Sequence, residues 1–195
     1  VNGTPETLAA ISGSDLEAYR KRVFARSNLK VVAVGDIDAA TLGRLLDDVF
    51  GALPAKAELE PVVKTSPLAG AKLKHIDMDV PQSVAMFGFG AMARKDPDFM
   101  PAFVLNHIVG GGGFASKLME EVREKRGLAY SVYSYIHPEI HASVLVGSVA
   151  TKSEAIDQSL DVIRAALARM AEVGPSQEDL DNAKKYLLGS YALRF

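Results

Sequence analysis

Arg123 and Tyr130 are the residues of this sequence best placed to do chemistry together. A guanidinium near the end of a short helix and a phenol at the start of the next strand, with Gly127 turning the chain between them, could converge on one acceptor. The acceptor that suits two fixed donors is a peptide carbonyl or an oxyanion. The surrounding stretch, "GGGGFASKLMEEVREKRGLAYSVYSY" from Gly110 to Tyr135, also admits a plainer reading. Glu120, Glu121, Glu124 and Lys125 would be a solvated helix face with i to i+4 pairs, while Leu118 and Val122 point inward. The residues alone leave both readings open.

Other reactive patterns fail on spacing. A phosphate loop needs glycine, lysine and Ser/Thr adjacent, but here Ser116 precedes Lys117 and Leu118 follows. "GFGAMA", with Gly88, Gly90 and Ala93, fits a dinucleotide fingerprint, yet "RKD" and Pro97 follow where its helix should already run. His137, Glu139 and His141 in "HPEIH" are zinc-ligand types, but a zinc hydrolase sets its histidines one helical turn apart. Pro138 forbids a helix interior there, and an extended strand spreads four residues over about 13 Å. His75 and His107 stand alone, and no Ser-His-Asp set can be established from spacing. The chain shows no complete catalytic machine, and no metal ligands are expected in it.

Composition narrows the partners. The 195 residues are 48% hydrophobic and 24% charged, an ordinary globular balance. With 22 basic and 24 acidic residues spread along the chain, the net charge of -2 gives no footprint for nucleic acid or an anionic membrane. The absence of cysteine excludes disulfides, thiolate metal sites and a cysteine nucleophile. No apolar run approaches the ~20 residues of a membrane span, and the first residues are not a signal peptide. The start at Val1 without methionine and the stop at "GSYALRF" in a helical pattern lead us to expect a fragment.

The elements that must position the pair follow from periodicity and punctuation. Ser14 with Glu17 predicts a capped helix over 15–25, "LKVVAVGDI" a strand buried on both faces, and Asp38 the cap of a helix carrying Leu42, Leu45, Leu46 and Val49. Residues 55–71 read as an exposed linker, dividing a segment 1–54 from a domain 72–195. Beyond it, "KLKHIDMDV" and "SVAMFGFG" predict two strands, and Asp96 with Pro97 the start of a helix that Gly110 to Gly113 stop. A short helix over 115–126, a hairpin of "LAYSVYSYI" with "SVLVGSVA", a long helix started by Thr151 and Glu154, and a last helix opened by Ser176 and Asp179 complete the pattern. Strict alternation in the first hairpin strand puts Tyr130 on one face with Leu128, Val132 and Ser134.

"PQS", "DPD", "LNHIVGGGGFASKLMEEVREKRGLAYSVYS" and "LDNAKKYLLGSYALRF" together resemble the carboxy-terminal, non-zinc half of the pitrilysin and mitochondrial-processing-peptidase family of zinc metallopeptidases. "YRKRVFARSNLKVVAVGDID" resembles the closing α-β-α segment of that family's first domain. The resemblance implies an α/β (α+β) fold, a mixed and mostly antiparallel sheet with helices on one side, truncated here at its C-terminus. It implies zinc in the complete enzyme, held by an inverted HxxEH motif on a preceding domain or partner subunit, and HxxEH occurs nowhere in this chain. Arg123 and Tyr130 match the family's supporting pair, for substrate anchoring and transition-state support. Gly111, Gly112, Gly113 and Phe114 match its substrate-binding loop. The implied substrate is an extended peptide, the implied isolated fragment is inactive, and the bacterial periplasm is favoured over the cytoplasm because bacterial relatives are often exported. A structural or peptide-binding subunit without proteolytic role is the alternative. Residues 1–53 are further expected to fill the missing slot of the second-domain sheet, within one chain or by exchange in a homodimer of the fragment.

Overall fold

The computed structural model describes residues 3–66, 70 and 72–194, so residues 67–69 and 71 of the expected linker lie outside the described residues. The chain divides into two compact units, residues 1–62 and 63–195. Among the described residues no helix is long and apolar enough to cross a membrane.

The first unit is helical. It contains α1 (Pro5–Ala9), α2 (Gly13–Val23) and α3 (Ala39–Phe50), with a 3-10 turn at Arg26–Asn28. The α2 cap is Ser12 rather than the expected Ser14: its hydroxyl accepts from Asp15 N–H at 3.2 Å, and its own N–H donates to the Asp15 carboxylate at 2.8 Å. Asp38 caps α3 as expected, accepting from Ala40 and Thr41 N–H. The expected buried strand at 29–37 is absent. That segment forms no ladder, and Val32 and Val34 are 89% and 98% exposed. A strand needs a partner as well as β-branched residues, and none of the described ladders includes this segment. Among the described residues of this unit only Ala25 is buried.

The second unit is built on a three-stranded antiparallel sheet, ordered β1 (Ser83–Gly90), β3 (Val144–Thr151), β2 (Ala129–His137). The expected strand at 72–80 is not formed: its alternation finds no neighbour to bond. One face of the sheet carries Ala85, Phe87, Val149 and Val132, and packs on helix residues Val109, Leu118, Met119, Val122 and Ile163. Phe87 lies over its register partner Gly147 and fills the space a side chain there would need. Leu118, Val122, Val132 and Val149 are fully buried, each stabilising the fold by about 1.5–3 kcal/mol through lost apolar surface.

The helices obey the predicted punctuation with local shifts. α4 (Phe99–Asn106) starts two residues later than Asp96 and Pro97 suggested, because Asp96 instead closes a turn by accepting from Asp98 N–H. It widens into a π-helical turn at His107–Gly111, so the glycines begin inside the helix rather than ending it. A second helix follows Ser116 and is π-helical over Met119–Glu124, ending before Gly127 at φ 61°. Thr151 belongs to β3, its hydroxyl donating to Leu128 C=O, so it does not start the long helix α5 (Ile156–Val173). Ser176 and Asp179 form the expected capping box of α6 (Gln177–Tyr191). The Asp179 carboxylate also pairs with Lys117 at 2.8 Å, tying α6 to the helix that carries Arg123.

Two outcomes follow. A methyl group on Gly110 would sit 2.8 Å from Ser134 N and 3.1 Å from Leu118 Cδ1, whereas one on Gly127 meets nothing and only the positive φ opposes it. Urea unfolding should therefore show Gly127→Ala costing about 1–2 kcal/mol and Gly110→Ala distinctly more. The Lys117 ammonium, followed by the Ser176 hydroxyl, holds the Asp179 carboxyl below its ordinary value. A depressed folded value stabilises above about pH 4 and the contribution is lost as pH falls through the folded value. The acid limb of a stability-pH profile should accordingly flatten in Asp179→Asn.

Candidate functional site

The strand β2 does not alternate as its sequence suggests. Ala129 faces Thr151 across the ladder while Ser131 faces Ala150, leaving Tyr130 as the extra residue of a β-bulge. A bulge re-aims one side chain. Ala129, Val132 and Ser134 are buried, and Tyr130 turns outward with Tyr133 and Tyr135, 78% exposed. The expectation that Tyr130 shares a face with Val132 and Ser134 is thereby corrected.

The bulge brings the phenol to Arg123. The Arg123 guanidinium carbon lies 5.0 Å from the centre of the Tyr130 ring and 4.7 Å from that of Phe114, so an aromatic ring adjoins it from each of two elements. Each such contact contributes about 0.5–1 kcal/mol at an exposed site, and together they restrict the guanidinium's orientation. Phe114 is itself 66% exposed, held at the end of the glycine loop. Gly113 there has φ 60°, a conformation that favours glycine. A Cβ on Gly112 would lie 2.7 Å from His107 C=O, and one on Gly111 2.9 Å from Asn106 Nδ2. Gly111 and Gly112 thus pack against the helix behind them, and among the four loop residues singled out from sequence it is Phe114 that reaches Arg123.

The neighbouring charges engage one another. Lys125 bridges Glu120 at 2.8 Å and Glu121 at 2.7 Å, Arg126 pairs with Glu121 at 2.7 Å, and Lys117 reaches Glu120 at 3.4 Å. Hydrogen bonds from Lys125 above all hold the Glu120 and Glu121 carboxyls below their ordinary values. Arg123 stands outside this network: among the described residues no carboxylate pairs with its guanidinium and no side-chain hydrogen bond engages it. The plainer reading of the helix holds for Glu120, Glu121, Lys125 and Arg126 and not for Arg123.

Arg123 and Tyr130 line a cavity of about 500 Å³ with Gln82, Gly127, Leu128, Ala129, Ala150, Thr151, Lys152 and Ala155. Gln82 and Lys152 are additions that spacing did not reveal. Ser83 pairs with Thr151, so continuing that register by one step sets Gln82 opposite Lys152. A second cavity, of about 270 Å³, lies between the packed face of the sheet and the helices, lined by Phe89, Leu105, Val109, Ile136, Leu145 and Met170 among others. Its polar members, Asn106 and Ser134, bond each other at 2.7 Å, and it contains no ionisable side chain. Of these two cavities, only the one lined by Arg123 and Tyr130 carries ionisable side chains.

His137 and Glu139 bond each other at 2.8 Å on the exposed hairpin end. Among the described residues no group of three or more His, Asp or Glu side chains is placed to hold a metal ion, so the residues present do not fit a zinc site. His107 stacks on Tyr186 at 5.2 Å, and its partial burial pushes its imidazole below the ordinary value.

With this geometry in hand, comparison with known proteins is direct. The family model described as the peptidase M16 inactive domain matches residues 10–187. The non-peptidase homolog YmxG of Helicobacter pylori is 33% identical over 193 residues, covering 98% of this chain and 44% of that protein. An uncharacterized zinc protease of Streptomyces coelicolor is 30% identical over 199 residues, covering 99% of this chain and 43% of that one. The crystal structure of a peptidase M16 inactive domain from Pseudomonas fluorescens superposes with a TM-score of 0.89 at 32% identity, covering 97% of this chain and 46% of that chain. The chain spans less than half the length of these relatives. The expected α/β fold class stands, with a sheet that is wholly antiparallel among the described strands. A match over most of the chain, with this superposition, shows that it belongs to the peptidase M16 family, as its inactive domain.

Proposed function

We propose that this chain is the substrate-binding half of a zinc-dependent peptidase acting on extended peptides, with Arg123 and Tyr130 contributed to a site whose metal ligands lie on another domain or subunit. The observation that carries the reading is the unpaired Arg123 guanidinium, oriented by Phe114 and Tyr130 at the edge of an accessible cavity. Leaving a cation without a counter-ion does nothing for stability, and a donor so oriented suits a ligand oxygen. Arg123 would bind and orient an oxygen of the substrate, and the Tyr130 hydroxyl would donate to an oxygen that gains charge. Zinc, supplied with the other half, would furnish the Lewis acid and activate water. β1 and β2 each have one edge unpaired in the described sheet, which suits strand addition by a peptide.

A second reading is favoured by one observation: the similar Helicobacter pylori protein carries the name non-peptidase homolog. In that reading the domain binds peptide or holds an assembly together without cleavage.

The readings separate in the complete protein containing both halves. Arg123→Ala and Tyr130→Phe should each lower kcat/KM for a fluorogenic peptide about 100-fold, with unchanged circular dichroism and melting. Unchanged cleavage in both would leave the structural reading standing. Peptide affinity of the present chain alone, measured by fluorescence anisotropy, should be the same with and without a chelator, since among the described residues no group of three or more ligand side chains is placed to hold a metal ion.

A further inference from the structure

We infer that the Arg123 cavity is a carboxylate-recognition site, in which Lys152 and Gln82 join Arg123 to select peptides bearing an acidic group, whether a C-terminal carboxylate or a Glu or Asp side chain. The inference rests on the peptide-binding reading above and specifies which peptides the site takes.

Three observations carry it. The ionisable residues lining the cavity are Arg123, Lys152 and Tyr130, with no Asp or Glu among them. Neither cation has an ion-pair partner among the described residues, and Glu120 and Glu121, acids of the Arg123 helix, are engaged by Lys125, Lys117 and Arg126. Two like charges around one cavity raise the potential there until an anion enters and relieves it. The sheet register, moreover, sets Gln82 opposite Lys152 just past the end of the β1–β3 ladder, with the Ser83 and Ser153 hydroxyls 3.1 Å apart beside them. An amide and an ammonium thus come from adjacent strand ends, and a guanidinium from the helix.

The division of labour follows from the side chains. The Arg123 guanidinium carbon lies over the Phe114 and Tyr130 rings at 4.7 and 5.0 Å, and the guanidinium's own planar fork of N–H donors is the geometry that grips a carboxylate with two parallel bonds. Lys152 is exposed and flexible, a point charge that follows the carboxylate rather than fixing its plane. The Gln82 amide adds a neutral donor. A cavity of about 500 Å³ accommodates the acid together with the residue that carries it.

The test uses this chain and a short neutral peptide of Ala, Ser and Val, labelled at its N-terminus, in three forms: free acid, C-terminal amide, and amide with one internal Glu. Anisotropy should show the free acid or the Glu form binding at least about tenfold more tightly than the neutral amide, and whichever gains identifies the source of the carboxylate. Lys152→Met should bring that form down toward the amide, Lys152→Arg should retain the preference, and added salt should erode it. Equal binding of all three forms, or a preference that survives Lys152→Met, overturns the carboxylate assignment alone. Failure of every form to bind overturns it together with the peptide-binding reading.

Discussion

The close seating of one helix on one strand governs most of what this domain presents to its surroundings. Gly110 approaches the β2 backbone so nearly that a methyl group would meet Ser134 N at 2.8 Å, and beside it Asn106 and Ser134 satisfy each other in the buried interior. Leaving either partner of such a pair unbonded costs about 1–3 kcal/mol, so the helix cannot drift along the strand without penalty. The contact fixes where the glycine loop leaves α4, hence where Phe114 stands, and Phe114 lies against Arg123. The short helix returns to the same strand through Gly127, and the bulge there presents Tyr130 to the same guanidinium.

Charge is distributed with a corresponding economy of partners. Acidic and basic side chains of the short helix close on one another and on α6, where Asp179 both caps the helix and grips Lys117. These exposed pairs add little stability individually, about 0–1 kcal/mol each. Their larger effect is to occupy the Glu120 and Glu121 carboxylates, which would otherwise compete for Arg123. The guanidinium is left with aromatic faces and an open edge, an arrangement suited to a visiting oxygen more than to internal cohesion.

What the sequence revealed depended on whether the deciding interaction was local. The Asp38 and Ser176 caps, the hairpin and the convergence of Arg123 with Tyr130 across a glycine turn were legible, because neighbours within a few residues decide them. The α2 cap was a tie that sequence could not break, since Ser12 with Asp15 and Ser14 with Glu17 share the same spacing. Residues 29–37 and 72–80 have strand-like composition, but whether a strand forms depends on a partner, and that is a non-local fact. The bulge at Tyr130 and the meeting of Gln82 with Lys152 arise from the register of distant strands, for which no motif exists.

The π-helical turn over Met119–Glu124 makes the domain's tolerance of length change uneven. There the Lys125 N–H reaches back to Glu120 C=O at 2.9 Å, enclosing one residue more than an ordinary α-turn. Loss of a single codon upstream of Arg123 in this stretch would let the turn tighten into regular α-helix, with its backbone bonds remade. If the preceding turn stays in place, the loss would also turn Arg123 and its fully buried neighbour Val122 together, about 100° around the helix axis, away from the rings and out of the core. The widened turn thus holds a core residue and a cavity-lining residue in one register, so that neither can be re-aimed without the other.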